Sequence, residues 1–327
     1  MRPSFVLLFV LIGMIRISVA QDPGFSQFYA NPLHVNPAFT GTTELSRVVL
    51  NYRNQWPQKG TTFATYSVSF DQLSKNINAG FGFQIYHDRE MNQIVNTSSA
   101  LFSYSYHLSF ENKNFITLGL QAGLVIKQFD PGKLIFPSGI DQLSGELSEI
   151  NPISFADEKK TFPDFAVGAV GQQGDFFGGV AIHHFHQPNI SIIEGDQKGN
   201  LPTKLTLHAG ARTHLLHNGL LSRVFTLSPN VIYQQQGSFK QVNLGMYMIE
   251  KSFLFGGWYR NNIDIRPDAI IALAGFTTAS FQFGYSFDFT LSKLSNYSYG
   301  SHEISLTFFI GEKSEVPVRD KLLIPMI

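Results

Sequence analysis

Between Ile116 and Ile126 every second residue is apolar: Ile116, Leu118, Leu120, Ala122, Leu124 and Ile126. Thr117, Gly119, Gln121, Gly123 and Val125 lie between them, and Lys127 follows. The same period returns over residues 203–215, where Leu205, Leu207, Ala209 and Ala211 alternate with Lys204, Thr206, His208, Gly210 and Arg212. It returns again over residues 281–290, where Phe281, Phe283, Tyr285, Phe287 and Phe289 interleave with Gln282, Gly284, Ser286, Asp288 and Thr290. A helix repeats its faces about every 3.6 residues, so a strict period of two requires β-strands with one apolar and one polar face. Strands of soluble sandwiches usually run about five or six residues. These stretches run ten or more, which is what a tilted strand of about 9–11 residues needs to cross a bilayer.

Fourteen candidate strands follow from the pattern: 45–55, 61–71, 78–88, 95–110, 113–128, 163–172, 175–187, 203–216, 221–234, 238–249, 252–261, 267–276, 279–290 and 301–311. Pro229, inside the ninth, marks either a bulge or a shorter strand. The even-numbered strands are followed by brief turns and the odd-numbered ones mostly by longer loops, chiefly 130–162 and 188–202. Short turns on one side and longer loops on the other are the habit of outer-membrane barrels, with both ends of the strand series in the periplasm. Hydrocarbon cannot satisfy a free sheet edge, so the sheet must close. The expected fold is all-β: a closed antiparallel transmembrane β-barrel of about 14 strands over residues 43–311, its bulky apolar face toward lipid and its Gly, Ser, Gln and Lys face toward the lumen. The composition agrees, with 31 Phe and 12 Tyr against only 15% charged residues.

The front of the chain is different. Arg2, the apolar run Phe5–Ile15 and the small residues Ser18-Val19-Ala20 have the form of a secretory signal peptide cleaved before Gln21. With Arg2 and Arg16 in that leader, the 24 basic and 24 acidic residues become 22 against 24. Neither sign dominates, so nothing points to nucleic acid. Cysteine is absent, which excludes a disulfide framework and a lipid anchor through cysteine. Residues 21–42 then open with QDPGFSQFYANPLHVNPAFTG, stiffened by Pro23, Pro32 and Pro37 and made adhesive by Phe25, Phe28, Tyr29 and Phe39. Such a segment is neither helix nor central strand. It is expected to be ordered, folded back into or under the barrel near its periplasmic mouth. Residues 312–327 are expected to form a C-terminal periplasmic tail.

Little in the sequence argues for chemistry. His183-His184-Phe185-His186 offers, as a strand, two imidazoles on one face, short of the three or four ligands of a metal site. The bland reading is a set of histidines in an aromatic girdle or at a loop base. Ser103, Ser105 and His107 share a strand face, but the lumenal one. There is no nucleophile elbow, phosphate loop or dinucleotide fingerprint. No enzyme, no metal and no cofactor are expected.

The opening motif, together with Tyr52-Arg53-Asn54-Gln55-Trp56 in the first strand and GSHEISLTFF at residues 300–309, resembles the PorP/SprF family. The resemblance implies an outer-membrane barrel of the type IX secretion system, associated with gliding motility and with the export or surface anchoring of secreted adhesins. It implies as partners the C-terminal domain of a secreted cargo, type IX or peptidoglycan-linked periplasmic components, and outer-membrane lipid. The candidate partner-binding residues are Asp22, Phe25, Phe28, Tyr29, Asn31, Asn36, Tyr52, Arg53 and Trp56. The alternative is a porin-like passive channel or uptake barrel.

Overall fold

Each alternating stretch is a strand of one closed antiparallel wall in a computed structural model, which describes residues 22–58, 61–110, 114–130, 158–191, 199–217, 223–263, 266–291 and 299–311. The strands are β1 (Ser46–Gln58), β2 (Thr61–Ser74), β3 (Ala79–Glu90), β4 (Val95–Ser109), β5 (Phe115–Phe129), β6 (Glu158–Gln173), β7 (Phe176–His183), β8 (Lys204–Ala211), β9 (Thr213–His217), β10 (Arg223–Gln236), β11 (Phe239–Glu250), β12 (Phe253–Asn262), β13 (Arg266–Thr277), β14 (Phe281–Thr290) and β15 (Ser301–Ile310). β1 pairs with β15 and closes the cylinder. β8 and β9 pair with the same strand, β10, so they are two halves of one wall strand and the barrel has fourteen.

Pro229 explains that split. Asn230 pairs with Gly210 and Leu227 with Thr213 in one unbroken register, while Ser228 and Pro229 pair with nothing on that side. A proline has no N–H to give to the ladder. On the other side Pro229 pairs in sequence with Met246, without a bulge.

The wall differs from expectation at two places. β6 begins at Glu158, so the loop ahead of it is 130–157. β7 ends at His183 because His184 takes φ +54° and leaves the sheet, which makes the next loop 184–203. His184 and His186 therefore share no strand face. The connections on one end of the barrel are all two to five residues long; the three long ones, 130–157, 184–203 and 291–300, lie at the other. By that asymmetry the short-turn end is periplasmic, "inward" below, and the long-loop end is outward.

Outer and inner faces alternate as the pattern requires. In β5, Ile116, Leu118, Leu120 and Leu124 are exposed on the outside, while Thr117 and Gln121 are buried in the lumen. Phe70, Phe83, Phe102, Phe255, Ile270 and Phe289 extend the apolar belt around the barrel. The lumenal face is less uniformly polar than expected. Serines, threonines and glutamines face inward from β1–β4, β14 and β15, but Phe177, Ile232, Tyr247, Trp258, Ile271 and Leu273 form an apolar sector of the interior. They need something to pack against.

An arginine at Leu120 or Phe283, both on the lipid face, is expected to cost about 2–4 kcal/mol of barrel stability. Gln234→Arg, at the outward mouth, is expected to change it little. Urea titration of the folded, heat-modifiable band in lipid vesicles measures all three; equal losses would mean that the alternation does not separate the lipid face from the lumen.

Candidate functional site

The apolar sector packs against the front of the chain. Residues 22–41 lie inside the barrel, built from a short 3-10 turn (Phe28–Ala30), one helical turn (Pro32–Val35) and a second 3-10 turn (Pro37–Phe39). Pro32 and Pro37 stand at the starts of their turns, where a missing N–H costs nothing. Asn36 caps the last turn by accepting the Ala38 N–H at 2.9 Å. Phe25, Phe28, Tyr29, Leu33 and Phe39 are all at most 4% exposed. Phe28 packs on Trp258 at 5.0 Å, and Tyr29 meets Phe177 and Tyr247 edge-on. Full burial of side chains of this size is worth about 1.5–3 kcal/mol each.

The segment does not sit at the periplasmic mouth, as the sequence suggested, but runs the length of the lumen in the opposite sense. Asp22 is beside His184 and Gln236, at the outward end. Thr40 and Gly41 are beside Ser105, His107 and Asp71, at the inward end. The chain then turns and climbs as β1. The apolar sector spans the interior, so only a segment threaded through it covers those side chains.

Three anchors fix the segment. At the outward end the Asp22 carboxylate accepts from His184 Nε2 at 2.8 Å and lies 3.4 Å from Lys204 Nζ, while His184 Nδ1 faces Asp164 at 2.8 Å. Burial pulls the His184 imidazole down, but the two carboxylates outweigh it and raise it to about 10. Burial pushes the Asp22 carboxyl up, and His184 and Lys204 overcome this, holding it well below its usual range. The latch is an ion-paired one, with an imidazolium between two carboxylates. Among the described residues no three or more His, Asp or Glu side chains are grouped as metal ligands would be.

The middle anchor joins the sequence motifs. Ser26 Oγ donates to Asp288 at 2.7 Å and accepts from Arg53 and from Arg260, the latter at 2.6 Å. Arg53 binds Asp288 at 2.8 Å and Glu303 at 3.1 Å, and Arg260 binds Asp288 at 3.0 Å. Glu303 accepts the backbone N–H groups of Ser26 and Gln27 at 2.6 and 3.1 Å. The side-chain amide of Gln27 spans the β14–β15 boundary, donating to Ser286 of β14 at 3.3 Å and to the Glu303 carbonyl of β15 at 2.9 Å, and accepting from Ser305 at 2.6 Å. Further along, Gln84 donates to Asn31 at 2.8 Å, and Asn36 donates to the carbonyls of Ala169 and Val180 at 3.2 and 3.1 Å.

At the inward anchor Asp71 accepts the Gly41 N–H at 2.8 Å and pairs with Arg47 at 2.8 Å; Arg47 in turn donates to the Phe39 carbonyl. Ser105 and His107 both reach the Thr40 carbonyl, so that serine-histidine pair grips backbone. Close approach of segment to wall depends on glycine. A Cβ on Gly119 would stand 2.2 Å from the Ala38 nitrogen, and one on Gly168 2.0 Å from the Asn36 side-chain oxygen.

Of the nine candidate residues, seven are thus gathered in the lumen: Asp22, Phe25, Phe28, Tyr29, Asn31, Asn36 and Arg53. Tyr52 is on the outer, lipid-side face of the wall, its ring 5.0 Å from that of Tyr66 and tilted to it. Trp56 stands at the outward mouth with φ +54°, where the β1–β2 register shifts. Sequence reasoning assigned no role to Ser26, Gln27, Asp164, Arg260, Asp288 or Glu303. A usable signal existed, because each of these wall charges falls on the lumenal phase of a bilayer-crossing strand. Above the segment's first residues a cavity of about 330 Å³ opens outward.

A closed barrel with a lipid-facing apolar belt and a lumen filled by its own chain is an outer-membrane β-barrel protein. The model of the family described as "Type IX secretion system membrane protein PorP/SprF" matches residues 17–308. The chain belongs to that family. No curated relative matches it. Its fold is similar to that of the toluene transporter TbuX of Ralstonia pickettii, at 11% identity and TM-score 0.51, over 85% of this chain and 93% of that one. It is likewise similar to the CymD monoaromatic hydrocarbon channel, at 11% identity and TM-score 0.52, over 90% and 95%. At that identity the likeness is one of fold.

Glu303→Ala removes one of the two carboxylates that Arg53 pairs with and the acceptor of two buried N–H groups, and is expected to cost about 3–5 kcal/mol. Gly119→Val, which overpacks the contact with Ala38, is expected to cost about 1–3 kcal/mol. Denaturant midpoints of the heat-modifiable band check both; unchanged midpoints would mean that residues 22–41 do not occupy the lumen.

Proposed function

We propose that the protein is a non-enzymatic outer-membrane component of type IX secretion that supports the export or surface anchoring of secreted proteins, of the adhesin and gliding type. It does so as a plugged barrel, holding the C-terminal domain of a cargo or linking the membrane to periplasmic machinery, peptidoglycan-linked components included. The observation that carries this reading is the filled lumen. Residues 22–41 run from its outward to its inward end and are hydrogen-bonded to the wall at both. A passive porin needs a continuous aqueous path, which this packing opposes. Phe28, Tyr29, Asn31, Asn36 and Arg53 serve by holding the plug. Asp22, Phe25 and Trp56 border the outward cavity, where a partner meets them without displacing the segment. The long outward loops and the inward rim remain as the other meeting surfaces.

The test is conductance in planar bilayers, combined with co-purification. The intact protein is expected to show no steady pore and to retain a secreted C-terminal domain from cells that express the secretion system. Deletion of residues 22–40, leaving the leader and β1, is expected to give a steady conductance. A steady pore of the same size in the intact protein, with no retained cargo, would establish the porin-like alternative.

A further inference from the structure

The outward cavity has a composition that plugging the barrel does not require. Its floor is the start of the plug, and its walls carry the side-chain amides of Gln55, Gln234, Gln241 and Asn262 beside the rings of Trp56 and Phe63. Trp56 is there because of a local irregularity. Strict alternation would send it outward with Tyr52 and Asn54, but the register of β1 against β2 shifts between Gln55 and Gln58, and the left-handed φ of Trp56 turns it to the mouth, edge-on to Phe63 at 5.6 Å. A bulky residue in that conformation is strained, and bulges commonly re-aim a side chain at a site.

The charges at the cavity are engaged with one another or with the wall: Arg53 and Arg260 with Asp288, Arg260 also with Asp268 at 3.7 Å, and Lys204 with Asp22, while Asp88 accepts from Thr65 at 2.6 Å and shares a hydrogen bond with Glu90. Among the described residues the side-chain amides of Gln55 and Gln234 make no hydrogen bond to protein, while Gln241 donates to Asn262 at 2.9 Å and accepts from Asn243 at 3.2 Å, each amide of that hydrogen-bonded chain keeping a further N–H or lone pair to offer. An amide offers a donor and an acceptor side by side, the arrangement that matches the adjacent hydroxyls of a pyranose. An aromatic ring matches the apolar C–H face of the same sugar. A volume of about 330 Å³ holds roughly two sugar rings.

We propose that this outward vestibule is a saccharide-binding site, taking a neutral di- or trisaccharide unit that stacks on Trp56 and is bound through its hydroxyls by Gln55, Gln234, Gln241 and Asn262. The unit is either a free oligosaccharide or the end of a surface glycan; the inference does not rest on the export role proposed above, although it uses the same vestibule and Trp56.

The experiment is calorimetric titration of the full-length barrel, in a detergent without a sugar headgroup, with maltotriose, cellotriose, chitotriose and the triply charged galacturonate trimer. Saturable binding of a neutral trisaccharide is expected, with a Kd at or below about 1 mM. Trp56→Ala and the double variant Gln55→Ala/Gln234→Ala, none of them a plug contact, are each expected to weaken it about tenfold while the heat-modifiable band is retained. Binding of a dextran or cellulose oligomer more tightly than the trisaccharide assigns the site to an extended glycan, and equal affinity assigns it to a free or terminal unit. Absence of binding by every neutral trisaccharide up to about 20 mM, tighter binding of the charged trimer, or full affinity in both variants would overturn the proposal.

Discussion

Fourteen strands enclose a space that their own side chains cannot fill. Barrel diameter grows with strand number, and about eight strands give an interior that side chains just close. A wider barrel either admits water or accepts an insert. Here the insert is the chain's own front end, and much of the interior follows from the need to hold it. The aromatic rings of residues 25–39 supply volume, and the sector from Phe177 to Leu273 gives them an apolar surface to meet. Glycines at 119 and 168 let backbone approach backbone.

Charge then fixes what volume alone would leave loose. Arg53, Arg260, Asp288 and Glu303 come from β1, β12, β14 and β15, and all four meet the segment or its partners around Ser26. Buried charges of this kind are costly unless every one is paired, so the cluster is complete only when the last strand has closed beside the first with the segment already between them. Barrel closure thus brings together the wall groups that seat the plug. The same cluster unites the three motifs on which the family resemblance rests: the opening segment, the Arg53 motif and the Glu303 motif.

The wall was legible in the sequence because the bilayer imposes a period of two on every strand. All fourteen segments marked by alternation are strands, and their ends erred where local contacts override the period. His184 leaves the sheet to reach Asp22 and Asp164, which no pattern around it announces. Pro229 was visible as a defect, but its effect, a split in the facing strand, depends on pairing. The segment was legible as stiff and adhesive, yet not its direction. Direction depends on which wall residues complement Asp22 at one end and Gly41 at the other, and those partners lie far away in the chain. The lumenal charges are the clearest missed sign: Asp288 and Glu303 interrupt the polar phase of their strands with full charges, where an empty aqueous channel would have accepted neutral groups equally well.

The account stands on the segment running from the outward mouth to the inward one. The absence of native cysteine allows a direct measurement. Gly24→Cys is at the outward cavity and exposed, whereas Thr42→Cys is at the inward end. Intact cells treated with a membrane-impermeant maleimide should label Gly24→Cys and leave Thr42→Cys unlabelled until the outer membrane is breached. Labelling of Thr42→Cys alone on intact cells, or of neither before the membrane is breached, would contradict the threaded lumen.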